Sequence, residues 1–195
     1  MKTYKLVLGS GSPRRFDLMT QAGLSFVKRV IEVDESFPID LELDRIALHV
    51  AEKKAYAHKD SMKEDELIIT ADTIVVYDGK VYGKPKTKKE ALDTLLMLSD
   101  SIHYVYTGTC LYTSDGIKSF SVKSEVKFGI IKPQEAKKYI SEQSPMDKAG
   151  SYGIQDWIGQ TRIEWIKGSY TNILGLPLAQ LWDALKQYNF QGVTI

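Results

Sequence analysis

Two spacings of apolar residues occur along the chain, and together they predict a mixture of strands and helices. Continuous or alternating apolar runs are typical of strands. They predict strands over residues 4–8, 26–30, 67–77, 80–82, 102–113, 117–131 and 161–166. Apolar residues three and four positions apart are typical of helices. They predict helices that begin near residues 13, 43, 87, 133 and 177.

Two turn sequences join pairs of these predicted strands into hairpins. Asp78-Gly79 separates the run ending at residue 77 from the short run that follows it, and Ser114-Asp115-Gly116 separates the next two long runs. In the last of these runs, apolar residues from Phe120 to Phe128 fall on one side and polar residues on the other. This alternation is typical of an antiparallel sheet with one wet face, which we interpret as structural.

The loop after the first predicted strand has the composition of an anion site. Gly9-Ser10-Gly11-Ser12 leads into Pro13, with Ser12 at the predicted N-cap and the proline at the first helical position. Arg14 and Arg15 follow, so the backbone N–H groups of a helix start and two guanidinium groups meet there. A phosphate site and an ordinary turn with two solvated arginines are equally consistent with these local features.

Two charged residues lie in otherwise apolar patterns. Asp72 lies in the middle of the uncharged run over residues 67–77, and Lys54 continues the apolar stripe of the second predicted helix. A buried carboxylate without a partner costs several kcal/mol, so Asp72 should face a cation, a metal or water. A structural salt bridge is the alternative. His58, placed on the same helix as Lys54, is expected to be solvated or hydrogen-bonded.

Three further segments carry candidate ligand groups. Glu32, Asp34 and Glu35 lie close together and could hold a divalent cation, although such clusters are commonly solvated surface. Lys84 lies in a fixed turn between Gly83 and Pro85. Gln155 follows two glycines and offers a donor and an acceptor, the groups that read the edge of a nucleobase. A surface glutamine in a plain turn fits equally well.

Composition narrows the possible partners. The 26 Lys and Arg residues and 25 Asp and Glu residues leave a net charge of +1, so no nucleic-acid partner is indicated. Cys110 is the only cysteine and lies in an apolar run, which favours a buried thiol and a reducing compartment. No apolar run reaches membrane-spanning length, so we expect a cytoplasmic protein with no membrane contact.

The charged candidates suit a polyphosphate ester bound with a divalent metal. Cations at Arg14, Arg15, Lys54 and Lys84 would neutralise phosphate charge, while the carboxylates of Glu35 and Asp72 would hold the metal and orient a water. The sequence has no Ser-His-Asp signature and no Walker lysine motif. Hydrolysis by a metal-activated water therefore fits better than a covalent nucleophile.

Several segments, taken in order, resemble the Maf family of nucleotide pyrophosphatases. They are residues 10–15, 71–73, 83–85, 147–155 and 168–177, so the resemblance spans nearly the whole chain and implies a single domain over residues 1–195. The implied fold is α/β and similar to that of the inosine-triphosphate pyrophosphatases. It has an elongated mixed sheet flanked by helices, and two lobes with a central cleft.

The resemblance also implies an activity and roles for the matching residues. The activity is hydrolysis of a nucleoside triphosphate to the monophosphate and pyrophosphate with Mg²⁺ or Mn²⁺. Substrate-binding roles fall on Ser10, Arg14, Arg15, Lys54, Thr73, Lys84 and Gln155. Asp72 is implied as the catalytic acidic residue and, with Glu35, as a metal ligand. In having Thr73 and Gln155, the chain resembles the branch of the family that prefers dTTP and UTP. The family resemblance also suggests a homodimer.

The chain departs from the family pattern at two places. Gly9 stands where alanine is common, and Asp156-Trp157 follows Gln155 where a glycine is common. The second departure bears on the shape of the base pocket. Alternatives are a pyrophosphatase of purine or 7-methyl-GTP nucleotides, and a regulator of septum formation that acts through protein contacts. Loss of turnover on Asp72→Asn would favour the enzyme.

Overall fold

The computed structural model describes residues 2–192, in which strands and helices follow one another along the chain. The strands are β1 (Thr3–Leu8), β2 (Phe26–Lys28), β3 (Glu66–Tyr77), β4 (Lys80–Tyr82), β5 (Ile102–Thr113), β6 (Gly116–Phe128), β7 (Ile163–Lys167) and β8 (Asn189–Phe190). The helices are α1 (Pro13–Gln21), α2 (Leu43–Tyr56), α3 (Lys88–Leu98), α4 (Pro133–Gln143), α5 (Trp157–Arg162), α6 (Tyr170–Leu174) and α7 (Leu178–Leu185). Two short 3-10 turns cover Pro145–Asp147 and Ala149–Ser151.

The strands form one mixed sheet. Its order is β2-β1-β3-β5-β6-β7, with β4 paired to β3 and β8 paired to β1. β1 pairs in parallel with β2, β3 and β8, whereas β3–β4 and β6–β7 are antiparallel. The β1–β2 and β1–β3 pairs come from chain that returns through α1 and α2, as parallel strands require crossovers. The predicted α/β class with a mixed sheet and helices is confirmed.

The chain divides into two compact units. The first unit holds the chain up to Asp72, then Thr107–Val122, then the chain from Gly175 onward, and the second holds Thr73–Tyr106 and Lys123–Leu174. The first unit buries apolar residues of β1, α2 and β3. The second buries a cluster that includes Val75, Leu95, Phe128 and Tyr139. The predictions of a central cleft and of one domain over residues 1–195 stay predictions.

The Asp78-Gly79 turn, the start of the third helix and the buried Cys110 agree with the sequence analysis. Asp78 and Gly79 have φ of 47° and 68°, which is the backbone of a tight hairpin turn between β3 and β4. Thr87 caps α3 by accepting a hydrogen bond from the Glu90 backbone N–H at 3.1 Å. Cys110 is fully buried, and burial raises the pKa of its thiol to about 12, so it behaves as a small apolar residue.

Several predicted boundaries are wrong. The strand placed over residues 161–166 begins only at Ile163, because Trp157–Arg162 forms α5. The segment 168–177, in which only a helix start near residue 177 was predicted, also contains the short helix α6. The strand predicted to run to residue 131 ends at Phe128, and the one predicted to run to residue 30 ends at Lys28. Among the described residues, no helix combines the length and the apolar character needed to cross a membrane.

Candidate active site

The parallel pairing of β1 and β3 determines where the loop after β1 lies. Leu8 pairs with Ile69, and the backbone N–H of Gly9 donates to the Ile69 carbonyl at 2.8 Å. Ser10 and Asp72 therefore both follow this paired position along parallel strands. Ligands of parallel sheets bind outside the carboxyl ends of the strands.

Ser10 and Arg15 make the loop after β1 rigid. The Ser10 hydroxyl accepts from the Ser12 backbone N–H at 3.3 Å and from Arg15 Nη1 at 3.1 Å. Arg15 Nε donates to the Gly175 carbonyl at 2.7 Å, which ties α1 to the segment before α7. Ser12 is the N-cap of α1, but its hydroxyl makes no capping hydrogen bond, so the predicted side-chain cap is wrong. The helix start keeps its positive end toward the loop.

Arg15 is a buried cation, with only 8% of its surface exposed. Burial lowers the pKa of its guanidinium, the charges of Asp72 and Glu35 oppose that effect, and Arg14 reinforces it. Arginine has the highest pKa of the ionisable side chains, so the guanidinium keeps its charge. The electric fields of two arginines and two carboxylates therefore overlap at this point of the first unit.

Lys54 joins the two predicted acidic residues. Its ammonium lies 2.7 Å from Asp72 Oδ1 and 2.7 Å from Glu35 Oε1. The side chains of Lys54 and Asp72 are each 14% exposed, whereas that of Glu35 is 46% exposed. Asp72 thus has a cationic partner, as its apolar surroundings demand, and the contact fits both the predicted site and the alternative of a structural salt bridge. The cation is a side chain that can also face a bound anion.

The donor set at this point fits a divalent metal only in part. Within residues 2–192 no group of three or more His, Cys, Asp or Glu side chains could hold a metal. The carboxylates of Glu35 and Asp72 lie near one another, because each is in contact with the Lys54 ammonium. Mg²⁺ commonly uses one or two protein carboxylates together with substrate phosphates and waters. Two carboxylates therefore fit a metal that arrives with a phosphorylated ligand.

The other predicted site residues belong to the second unit, apart from Arg14, which follows Pro13 in α1. Thr73 follows Asp72 in β3 and is half-buried, and Lys84 is exposed in the turn after β4. The Gly83 carbonyl accepts from the Gly150 backbone N–H at 3.2 Å, so the Lys84 turn contacts the loop that leads to Gln155. The Gln155 side-chain oxygen is buried and has no hydrogen-bond partner among the described residues.

The sequence did not reveal one close contact behind the loop after β1. A Cβ on Gly9 would lie 2.8 Å from His58 Nε2 and 2.8 Å from Thr70 Cγ2. His58 lies past the end of α2, not on it, and is 1% exposed. Burial, together with the nearby Arg29, lowers the pKa of its imidazole. The expected solvated or satisfied histidine is wrong, since Nδ1 is buried without a hydrogen-bond partner among the described residues.

These features define an α/β protein with a polar site where a strand–loop–helix unit meets an ammonium held by two carboxylates. The chain belongs to the Maf-like protein family, which it matches over residues 5–188.

Three bacterial proteins are similar to this chain over almost their whole length. A dTTP/UTP pyrophosphatase of Parabacteroides distasonis is 46% identical over 190 residues, which cover 96% of this chain and 98% of that protein. A dTTP/UTP pyrophosphatase of Bacteroides thetaiotaomicron is 44% identical over 185 residues, covering 94% and 96%. One of Flavobacterium johnsoniae is 37% identical over 185 residues, covering 95% of each.

Two solved structures are similar at a greater distance. The Mycobacterium abscessus nucleoside-triphosphatase, titled a dITP/XTP pyrophosphatase, has a TM-score of 0.44 at 13% identity and covers 94% of this chain and 93% of its own. The Staphylococcus aureus Ham1 protein has a TM-score of 0.42 at 13% identity and covers 64% and 71%.

Proposed function

We propose that this protein hydrolyses dTTP and UTP to the nucleoside monophosphate and pyrophosphate. Family membership and the names of relatives 37–46% identical to this chain support this choice. The observation that carries it in this chain is the Lys54 ammonium between Asp72 and Glu35. A carboxylate beside phosphate-binding cations is of use to a hydrolase, whereas a purely binding protein has no need of it.

The loop after β1 would bind the phosphates. Arg15 is buried and held by Ser10 and Gly175, so its orientation is fixed before a ligand arrives. Arg14 precedes it in the first turn of α1, where the helix dipole also favours an anion. Lys54 and Lys84 would supply further positive charge for the phosphates.

Asp72 would act on the attacking water. Its carboxylate accepts the proton as the water oxygen bonds to the α-phosphorus, and the bond from that phosphorus to the bridging oxygen of the β-phosphate breaks. The bonding electrons leave on pyrophosphate, and the monophosphate stays on the nucleoside. Thr73 and Gln155 would contact the nucleoside, and the unpaired Gln155 oxygen suits the imide N–H of thymine or uracil.

Glu35 and Asp72 would hold a Mg²⁺ or Mn²⁺ ion. When bound, such an ion neutralises phosphate charge and lowers the pKa of a coordinated water. Lys54, which lies 2.7 Å from each carboxylate in the structure, would also offer its positive charge to phosphate oxygen. A cytoplasmic location, expected from the single cysteine and the absence of a long apolar run, and a homodimer, suggested by the family resemblance, complete the proposal.

A substrate panel tests the proposed activity. Purified protein is incubated with dTTP, UTP, CTP, ITP, GTP and 7-methyl-GTP, with Mg²⁺, Mn²⁺ or EDTA, and pyrophosphate and monophosphate are measured. We expect pyrophosphate release to be fastest from dTTP and UTP and to stop in EDTA. Asp72→Asn should lower kcat by at least about 100-fold, because it removes the general base.

The matched control breaks a different lysine–aspartate pair. Lys5 and Asp65 lie 2.8 Å apart in the same unit, and both are exposed. Asp65→Asn should leave turnover unchanged, since exposed pairs contribute little to stability. Circular dichroism checks that Asp72→Asn is folded. No turnover of any nucleotide by the wild type would contradict the proposal and favour a binding role.

A further inference from the structure

The segment Gly153–Asp156 forms a closed turn that carries Gln155. The Asp156 backbone N–H donates to the Gly153 carbonyl at 3.1 Å, and α5 begins at the next residue. Gln160 Nε2 donates to the Gln155 carbonyl at 2.6 Å. The backbone of Gln155 is thus held on both sides, and its side chain extends from a fixed turn.

The Asp156 carboxylate does not do what an aspartate at this position usually does. Asp156 is the N-cap of α5, where an aspartate normally accepts from the first-turn N–H groups. Its side chain makes no such bond. The Gln143 side-chain oxygen instead accepts from the Trp157 N–H at 3.0 Å. Something other than capping therefore determines where the Asp156 carboxylate lies.

Tyr139 and Lys148 hold that carboxylate. The Tyr139 hydroxyl donates to Asp156 Oδ2 at 2.6 Å, and Lys148 Nζ lies 3.6 Å from the same oxygen. The Gly153 N–H donates to the Tyr139 hydroxyl at 3.1 Å. Burial and the hydrogen bond to Asp156 raise the pKa of the Tyr139 hydroxyl, so it stays a donor. One hydroxyl on α4 therefore connects both ends of the turn that carries Gln155.

The turn is also packed too closely to change shape. A Cβ on Gly153 would lie 2.6 Å from Asp156 Oδ2. Tyr139 is 1% exposed and the Asp156 side chain is 15% exposed, so neither group can be replaced by bulk water at little cost. The carboxylate thus fills the space under Gly153. A glycine at position 156 would leave that space and the Tyr139 hydroxyl without this partner.

We propose that Asp156, held by Tyr139 and Lys148, is a positioning residue that sets the base preference of this enzyme through Gln155. This inference rests on the proposed pyrophosphatase function and deepens it. Asp156 acts on binding of the base and not on the attack at phosphorus. It should therefore change KM and the ratio between substrates, with little change in kcat.

Kinetics of Asp156→Gly and Asp156→Asn with UTP, dTTP and CTP test the proposal. CTP lacks the imide N–H from which the Gln155 side-chain oxygen would accept a hydrogen bond. We expect Asp156→Gly to raise KM for UTP and dTTP about tenfold, with kcat within about twofold, and to narrow the preference for UTP over CTP about tenfold. Asp156→Asn keeps an acceptor for Tyr139, so its effect should be smaller.

Tyr139→Phe tests the connection itself. It should shift KM and the UTP-to-CTP ratio in the same direction as Asp156→Gly, and the double variant should be no worse than Asp156→Gly alone. The effects of substitutions at contacting residues that act as a unit do not add up. Hydrogen exchange of the ligand-free protein gives a second readout. The Gly153 amide should exchange faster in Asp156→Gly and Tyr139→Phe than in the wild type.

Glu135→Gln is the matched control. Glu135 on α4 pairs with Arg162 at the end of α5, where Arg162 Nε lies 3.1 Å from Glu135 Oε2. The variant loosens the same two helices away from the Gln155 turn. It should lower stability without changing the UTP-to-CTP ratio or Gly153 exchange.

The outcomes separate the two proposals. A wild type that turns over no nucleotide overturns the proposed function and this inference with it. A wild type that prefers UTP, with Asp156→Gly equal to it in KM, ratio and exchange, overturns only the role of Asp156. Equal shifts in Glu135→Gln and Asp156→Gly would assign the effect to general loosening and would also overturn it.

Discussion

Lys54 and Asp72 lie in half-buried positions, and each reaches a partner of opposite sign there. The Lys54 ammonium is 2.7 Å from Asp72 and 2.7 Å from Glu35, so it has a second anion if one moves away. Removing one partner of such a pair leaves the other charge unpaired, which costs more than the pair itself contributes. The requirement for a partner could be predicted from an aspartate in an uncharged strand. Which residue supplies it could not, because Lys54 and Asp72 lie 18 positions apart.

Gly9 and His58 should form a coupled pair in stability. Gly9→Ala places a methyl group 2.8 Å from His58 Nε2, so we expect it to lower the free energy of unfolding by about 1–3 kcal/mol through overpacking. In a His58→Ala background the same substitution should cost less than in the wild type, because the ring is gone and only the contact with Thr70 Cγ2 at 2.8 Å remains. Urea unfolding of the four proteins measures this coupling.

Gly11→Ala in the same loop is the control for Gly9→Ala. A Cβ there meets only Val30 Cγ1 at 3.9 Å, which is an ordinary contact, so the change should stay within about 0.5 kcal/mol. Equal costs of Gly9→Ala with and without His58 would show that the contact does not limit this position. The sequence marked Gly9 as unusual, but only the packing shows that an alanine there meets His58.

Helices differ in how far their own sequence specifies them. The start of α3 near residue 87 could be predicted from apolar spacing, and the Thr87 hydroxyl caps the helix. The α5 and α6 helices were missed because they have only 6 and 5 residues, too few for a helical period to emerge. Asp156 before α5 was the available signal, yet its carboxylate does not cap. Tertiary contacts therefore determine these short helices.

A buried histidine where β5 contacts the segment after α4 should make the stability of the protein depend on pH. His103 on β5 is fully buried; its Nε2 lies 2.7 Å from the Tyr152 hydroxyl, and burial lowers its pKa to about 3. In the unfolded chain the His103 imidazole takes up a proton near pH 6.5, whereas in the folded chain it does so only near pH 3. Stability from this group is therefore complete above pH 6.5 and should fall by about 1.4 kcal/mol per pH unit below it.

His103→Gln isolates that contribution, because an amide can still hydrogen-bond to Tyr152 without titrating. Urea unfolding is measured at pH 6.5, 5.75 and 5.0. Across this range the free energy of unfolding should fall by about 2 kcal/mol more for the wild type than for His103→Gln. Restricting the range to pH 5 and above keeps most carboxylates ionised in both states. Parallel curves for the two proteins would mean that His103 takes up its proton equally well when folded.

The whole chain passes repeatedly between its two compact units. The boundaries at Asp72/Thr73, Tyr106/Thr107 and Val122/Lys123 each fall inside a strand, within β3, β5 and β6. Neither unit is therefore a continuous piece of sequence, and each depends on strands that also belong to the other. A protein divided in this way is unlike a pair of domains joined by one linker.

We expect the chain to unfold in one cooperative transition, as the prediction of a single domain over residues 1–195 requires. Trp182 belongs to the first unit, and Trp157 and Trp165 belong to the second. Trp182→Phe therefore reports the second unit by fluorescence, and Trp157→Phe/Trp165→Phe reports the first. Each variant should show a fluorescence midpoint in urea equal to its own midpoint by circular dichroism.

Separate fluorescence and circular-dichroism midpoints within either variant would show that one unit unfolds before the other. Comparing the two probes inside one variant controls for any stability change caused by the substitution itself. The slope of the transition gives a further check, since it scales with the surface exposed on unfolding.

The sequence by itself determined the long elements, the hairpin at Asp78-Gly79, the cap at Thr87 and the family of the chain. These depend on residues near one another in sequence or on motifs in a fixed order. Only the tertiary structure decided that Lys54 pairs with Asp72, that His58 packs on Gly9, and that Tyr139 holds Asp156. Each of these contacts joins distant parts of the chain. Local propensity carries no information about them, because packing alone brings the partners together.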